Sequence, residues 1–376
     1  MRLGVDLSIM DEQASNHPVF YYEGKPIEPF SFFAKHSGIS LVRLRLWHDP
    51  FDEEGNPYGG GTNDLACFLR LAKKAQENGM GILLDFHYSD FWVDPSRQLL
   101  PKAWAKLSFS ELVKAVYDYT KETLLRISSE SIDLAAIQVG NEISNGMLHP
   151  FGDVWKTYSP EHGGGFEGHA MLLKAGLQAC KEVFPNAKRL IHLEHSGSFD
   201  MQDTYFGEMV KHGVDFDAIG ESYYPYWHGG FPCFEDNVTK LMAKYRKPIW
   251  VVEMGYEFMK SKIEGHHSGF DEGAEEDFIV GNINGRVPFE GSKRGQADYL
   301  KSFLGLCKRI GVEMVCYWEP CWTDMSVGWA KDAGQRYVGL VPTKASNDWA
   351  NECLFDEENN ANPAVDVFTQ SFVDKL

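Results

Sequence analysis

The sequence predicts a single (β/α)₈ barrel, on three observations. Eight short apolar runs of strand length recur along the 376 residues. Amphipathic helical stretches separate most of them. The long irregular segments follow the carboxyl ends of the runs, and in a barrel that gathers them on one face. A doubly wound open sheet is the lesser alternative. No Pro/Gly/Ser-rich linker divides residues 1–376 and no internal repeat stands out, so the chain reads as one domain.

Taken in order, the first run is Leu3–Val5 and the second is Ser40–Leu46. A helix is expected over Asp64–Asn78, where Leu65, Phe68, Leu69, Ala72 and Ala75 share one face and Gly79 stops it. Gly81–Phe86 is the third strand. Ser108-Phe-Ser-Glu111 is a capping box opening a helix with Leu112, Val113, Val116 and Thr120 inward. The fourth run, Leu134–Val139, has the length and composition of a parallel strand buried on both faces. Helical and apolar segments then alternate to the end: Glu167–Val183, Arg189–Leu193, Met201–His212, Ala218–Gly220, Glu235–Tyr245, Ile249–Val252, Gln296–Ile310 and Glu313–Tyr317. Four long loops remain, Phe51–Asn63, Asp90–Leu107, Ile143–Gly165 and Glu257–Gly295. Loops of that length crowded on one face are a functional signal.

Composition narrows the function. A net charge of −18 repels nucleic acid and anionic membrane surfaces and favours a neutral substrate. No apolar run reaches the length of a membrane-spanning helix. The 10 Trp, 16 Tyr and 25 Phe suit a sugar-binding cleft. Seven cysteines, none in a CxxC pair, and a first strand directly after Met1-Arg2 are the marks expected of a cytoplasmic protein. A secreted protein whose leader has been removed is the alternative.

The chemistry lies at two strand ends. Ile137-Gln-Val-Gly-Asn141-Glu142 and Ile249-Trp-Val-Val-Glu253 each finish an apolar run with a glutamate. One such acid is commonly a loop or capping residue, but two in matching contexts are what glycoside cleavage by paired carboxylates requires. One carboxyl must stay protonated to give its proton to the leaving oxygen, and the other must be ionised to attack the anomeric carbon. Around them the rim residues expected to touch substrate are Arg45, His87, Asp90, Trp92, Asp94, Asn141, Tyr224, Trp227 and Trp318. Tyr224 and Arg45 are expected to keep the nucleophile ionised, Asn141 to donate to a sugar hydroxyl, and Trp318 to offer a flat face to a sugar ring. Arg43 and, less readily, Arg45 also admit a purely internal ion-pair role, His87 that of a satisfied core histidine, and Asp85, Glu221 and Glu319 read as structural acids. His192-Leu-Glu-His195 and His266-His267 are the dense histidine groups, and neither has the spacing of a metal site, so no metal and no cofactor is expected.

These stretches resemble the endo-β-1,4-galactanases of glycoside hydrolase family 53. The matching segments are GVDLS at Gly4–Ser8, VRLRLWHDP at Val42–Pro50, LLDFHYSDFWVDPSRQLLPKAW at Leu83–Trp104 and IQVGNEISNGMLHP at Ile137–Pro150. SYYPYWHG at Ser222–Gly229, VVEMGY at Val251–Tyr256 and YWEP at Tyr317–Pro320 continue the series. The resemblance implies a retaining (β/α)₈ enzyme acting on galactan, with Glu142 as acid/base on the fourth strand and Glu253 as nucleophile on the seventh. The sequence departs from the family at Met254, where a threonine is usual. It departs again at Glu264–Glu272, which lacks the alternating acidic ligands of a family calcium loop, so calcium is not expected. Other retaining β-1,4-glycanases acting on mannan, glucan or xylan stay open as alternatives, as does a non-catalytic sugar-binding barrel.

Overall fold

The eight apolar runs become eight parallel strands that close on themselves. They are β1 (Arg2–Asp6), β2 (Leu41–Leu46), β3 (Gly81–Phe86), β4 (Ala136–Val139), β5 (Lys188–Leu193), β6 (Ala218–Tyr223), β7 (Ile249–Met254) and β8 (Met314–Tyr317). Each pairs with the next in the chain, and β8 returns to β1 with Leu3 opposite Val315. The structure, a computed structural model, describes residues 1–260, 277–280, 283–323, 327–347 and 349–376.

Among the described residues seven long helices pack around the strands; the last six fall where the periodicity puts them, and the first, Pro29–Lys35, has no counterpart among the expected elements. The seven are α1 (Pro29–Lys35), α2 (Leu65–Glu77), α3 (Phe109–Ser129), α4 (Gly165–Val183), α5 (Phe199–Lys211), α6 (Phe231–Tyr245) and α7 (Lys293–Ile310). Asp64 caps α2 by accepting from Cys67 N, and the capping box at Ser108 and Glu111 forms in full at the start of α3. The first crossover carries features with no sequence period to announce them. Phe20–Tyr22 and Lys25–Ile27 make a hairpin of three-residue strands, and Glu28 caps α1 in front of Pro29. The segment after β8 runs on to short helices at Ala364–Val367 and Gln370–Lys375.

Two layers fill the barrel interior and explain its polarity. At the lower end Leu41, Leu83, Ala136, Leu190, Trp250 and Met314 form an apolar plug. Two residues further along β2 to β5 stand Arg43, Asp85, Gln138 and His192, all buried. Inward positions alternate along a strand, so these four share the plug's orientation one level nearer the carboxyl-end rim. The outward positions pack against the helices in one large apolar cluster that includes Leu44, Leu84, Ile137 and Val251.

Candidate active site

Glu142 is placed by a sharp turn at the end of β4. Gly140 has φ of 85°, and a Cβ there would come within 2.9 Å of the Ile143 side chain. Glu142 itself sits at φ of 49°, a left-handed conformation that side chains rarely adopt and that concentrates at functional sites. The turn is fixed from outside. Gln98 Nε2 donates to the carbonyls of Asn141 at 2.9 Å and Glu142 at 3.3 Å, and Ile143 N donates to His192 O at 3.1 Å.

Glu253 is placed by an irregularity in β7. The pairing of β6 with β7 runs Glu221 to Val251 and then Ser222 to Glu253, leaving Val252 as an extra residue. A bulge of this kind re-aims the side chain after it. Here it sets Glu253 across from Ser222, and Ser222 Oγ donates to Glu142 Oε1 at 2.7 Å. Both glutamates open on one cleft of about 770 Å³.

Burial raises both carboxyls, but their neighbours differ. Burial, then the negative charge of Glu253, then that of Glu194 push Glu142 well above the ordinary carboxylate range. Burial raises Glu253 as well, but the Arg43 guanidinium lies 2.8 Å from its Oε1 and opposes the rise, and Tyr224 OH donates to its Oε2 at 3.1 Å. The cation and the phenol oppose burial at Glu253, which is pushed up to about 7, whereas at Glu142 only the Ser222 hydrogen bond opposes the rise; Glu253 is therefore the partner better suited to carry the negative charge. Arg43 is anchored in turn by Asp6 at 2.9 Å and Asp85 at 2.8 Å. Gln138 Nε2 donates to Asp85 at 2.5 Å and approaches His192 Nδ1 at 3.0 Å, and His192 Nε2 meets Ser222 Oγ at 2.8 Å. Burial depresses His192 well below its usual range, so it is neutral. A neutral ring donating through Nε2 leaves the Ser222 proton for Glu142. The inner polar layer thus wires both glutamates to one network.

Of the rim residues named from the sequence, His87, Trp92, Asp94, Asn141, Tyr224, Trp227 and Trp318 line the cleft with the two glutamates. His87 is already saturated, taking a bond from Trp47 Nε1 at 3.1 Å on one nitrogen and meeting Asp85 at 3.0 Å on the other. Asn141 Oδ1 accepts from Arg43 at 2.8 Å, and Nδ2 donates to Val93 O at 3.1 Å. Two expectations are corrected. Arg45 lines the cleft but does not touch the nucleophile. Its guanidinium pairs with Glu319 and lies 4.3 Å over the Trp92 ring, so Arg43 holds Glu253 in its place. Asp90 is not in the cleft. It is fully buried, accepting from Asp49 N at 3.0 Å and Lys102 N at 2.7 Å, and it ties together the loops that follow β2 and β3. Asp85 and Glu319 serve as interior ion-pair partners, and Glu221 accepts from Gln202 at 2.6 Å.

The sequence reading did not single out several cleft residues. Trp329 and Trp349 come from the long segment after β8 and join Trp92, Trp318 and Trp322 in one aromatic wall. Trp92 and Trp322 stack at 13° with centroids 6.0 Å apart, and Trp349 stands edge-on to Trp318 at 4.6 Å. Arg97, Glu194, His195 and His228 also face the cleft. Among the described residues no group of His, Cys, Asp or Glu is arranged to hold a metal ion. The Glu264–Glu272 segment, where calcium was not expected, lies outside the described residues.

Residues 2–368 match the profile of Glycosyl hydrolase family 53. The chain is 32% identical over 378 residues to the arabinogalactan endo-β-1,4-galactanase of Cellvibrio japonicus, covering 98% of this chain and 91% of the relative. It is 28% identical over 398 residues to the endo-β-1,4-galactanase of Bacillus subtilis, covering 97% and 84%. Among solved structures, the GH53 catalytic domain of Ignisphaera aggregans superposes with a TM-score of 0.82 at 34% identity, covering 98% of this chain and 95% of that one.

Proposed function

The chain belongs to Glycosyl hydrolase family 53, and on that premise we propose that it is an endo-acting, retaining glycosidase that cleaves internal β-1,4 bonds of galactan, type I arabinogalactan or the galacto-oligosaccharides derived from them. The observation that carries the mechanism is the pair of glutamates at two strand ends, one beside a guanidinium and the other raised by burial and by its neighbour. Glu253 attacks the anomeric carbon as the bond to the leaving oxygen breaks, and Glu142 gives that oxygen its proton. A galactosyl ester of Glu253 results. Esterification removes the negative charge that helped to raise Glu142, so Glu142 now takes a proton from water, which attacks the same carbon and frees Glu253 as carboxylate.

Tyr224 and Arg43 position Glu253, while Asn141, held by the same guanidinium, faces the cleft with an amide hydrogen left to offer a sugar hydroxyl. The aromatic wall around Trp318 supplies the flat faces on which pyranose rings stack. Every proton and bond is accounted for by the two carboxyls and water, so the mechanism calls for no cofactor. The whole chain is read as one catalytic domain. A cytoplasmic site of action, with all seven thiols free, belongs to the same reading; a disulfide in protein isolated from its host would overturn it. Among the described residues no helix is long and apolar enough to cross a membrane.

The test is product analysis on galactan, mannan, xylan and cellulose side by side. Galactan is expected to fall rapidly in viscosity while releasing a ladder of short galacto-oligosaccharides, with the other three essentially untouched. Preferential cleavage of one of those three would move the substrate assignment. Release of single galactose units alone would remove the endo mode.

A further inference from the structure

We propose that Trp155, on the loop after β4, is a stacking platform for a galactosyl unit on the leaving-group side of the scissile bond, beyond the sugar whose oxygen Glu142 protonates. The proposal rests on the assignment of Glu142 as the acid. Three observations support it.

The first is exposure combined with fixation. Trp155 is 72% exposed, yet its ring is pinned: Nε1 donates to Asn145 Oδ1 at 2.7 Å, and Asn145 Nδ2 donates to Pro95 O at 2.9 Å. The backbone N of Trp155 donates to Asp153 at 3.0 Å as well. The indole is thereby tied to the loops after both β3 and β4. A large ring held in one orientation with most of its surface in water is pre-organised for a flat apolar partner.

The second is continuity. Trp155 borders a cavity of about 220 Å³ that also meets Met201, Asp200, Glu194 and His195. Glu194 and His195 line the main cleft too, so the two hollows adjoin. Met201 is 48% exposed and extends the apolar surface. The Glu194 carboxyl is buried, with Oε2 lacking a hydrogen-bond partner. Apolar faces edged by carboxylates and an imidazole are the chemistry that recognises a neutral sugar, with its apolar ring face and its hydroxyl rim.

The third is direction. The acid protonates the departing oxygen, so the departing chain must leave past Glu142 and away from Glu253. That path crosses the loops after β4 and β5, where Trp155, Glu194 and His195 stand. The wall of Trp318, Trp322 and Trp349 follows β8 and flanks the other end.

The experiment compares Trp155→Ala and Trp155→Phe with the wild-type enzyme on galactan and on a nitrophenyl β-galactobioside, whose leaving group carries no sugar. Loss of one aromatic stacking contact is expected to lower kcat/KM on galactan about tenfold relative to the aryl substrate. The loss should appear mainly in KM, and Trp155→Phe should restore most of it. Asn145→Ala, which frees the ring without removing it, should give a smaller loss of the same kind. Equal losses on both substrates would mean a structural role, and no loss on either would mean a bystander; each overturns the proposal. If the wild-type enzyme cleaves neither galactan nor the galactobioside, the functional reading fails first and the proposal falls with it. A wild-type enzyme active on both isolates the role of Trp155.

Discussion

Replacing Glu253 with glutamine is expected to lower kcat on galactan by at least about 10⁴-fold, because loss of the nucleophile removes the covalent path altogether. The loss should be just as deep on aryl galactosides, since a better leaving group does not help when nothing attacks the carbon. The glutamine keeps the shape of the site and relieves one charge from a buried cluster that retains Asp6, Asp85 and Arg43. The variant should therefore fold, and its melting curve serves as the control. Glu253→Ala adds a second readout. A small anion such as azide entering the vacated space reaches the face of the sugar that Glu253 would have attacked, so the rescued product should be the α-galactosyl azide. Residual activity within about 100-fold of wild type would remove Glu253 from the role of nucleophile.

Glu142→Gln is expected to split substrates by their leaving groups. General acid help is worth about 10²–10⁴ in rate. Galactan, whose leaving alkoxide needs a proton, should lose that factor in kcat/KM. A dinitrophenyl galactobioside, whose leaving group needs none, should keep kcat/KM within about tenfold of wild type. The second step loses its base for every substrate, so the aryl substrate should show a burst followed by slow turnover. The pH profile carries an independent sign. Burial and the charge of Glu253 hold the Glu142 proton well above the usual carboxylate range. In the wild-type enzyme kcat/KM should decline on the alkaline side as that proton is lost, and Glu142→Gln should abolish this limb. A uniform loss on both substrates with the alkaline limb intact would place the acid elsewhere, and Glu194, also raised by burial, would be the next group to examine.

The strands were legible because buried parallel strands are rich in apolar residues, and the eight runs keep that mark in the closed barrel even where Arg43, Asp85, Gln138 and His192 interrupt it on the inward face. The glutamates were legible because chemistry in such a barrel gathers just past the strand ends. What escaped had physical reasons. Ranking residues by nearness to the strand end favours Arg45 over Arg43, but both face inward, and the long arginine stem lets the deeper residue reach Glu253. The extra residue at Val252, which aims Glu253, leaves no trace in an apolar run. Trp329 and Trp349 lie in a long segment without periodicity, so nothing local ties them to the cleft. The His192–His195 group looked like a failed metal motif. His192 instead tunes Ser222, and Glu194 with His195 lines the cleft. Asp90 stood in a persuasive loop, and only its backbone partners reveal that it binds loops together.

The central claim is double displacement through Glu253 with Glu142 as acid and base, and stereochemistry tests it most directly. Retention demands that the sugar be attacked twice at the same carbon, with the carboxyls close enough, about 5–5.5 Å, to exclude a water from the first step. Proton NMR of a galacto-oligosaccharide digest, followed from the first seconds before mutarotation, reads the anomer as it is released. The β-anomer should appear first, with the α-anomer growing in later by mutarotation. Release of the α-anomer first would mean single displacement by water and would contradict the account.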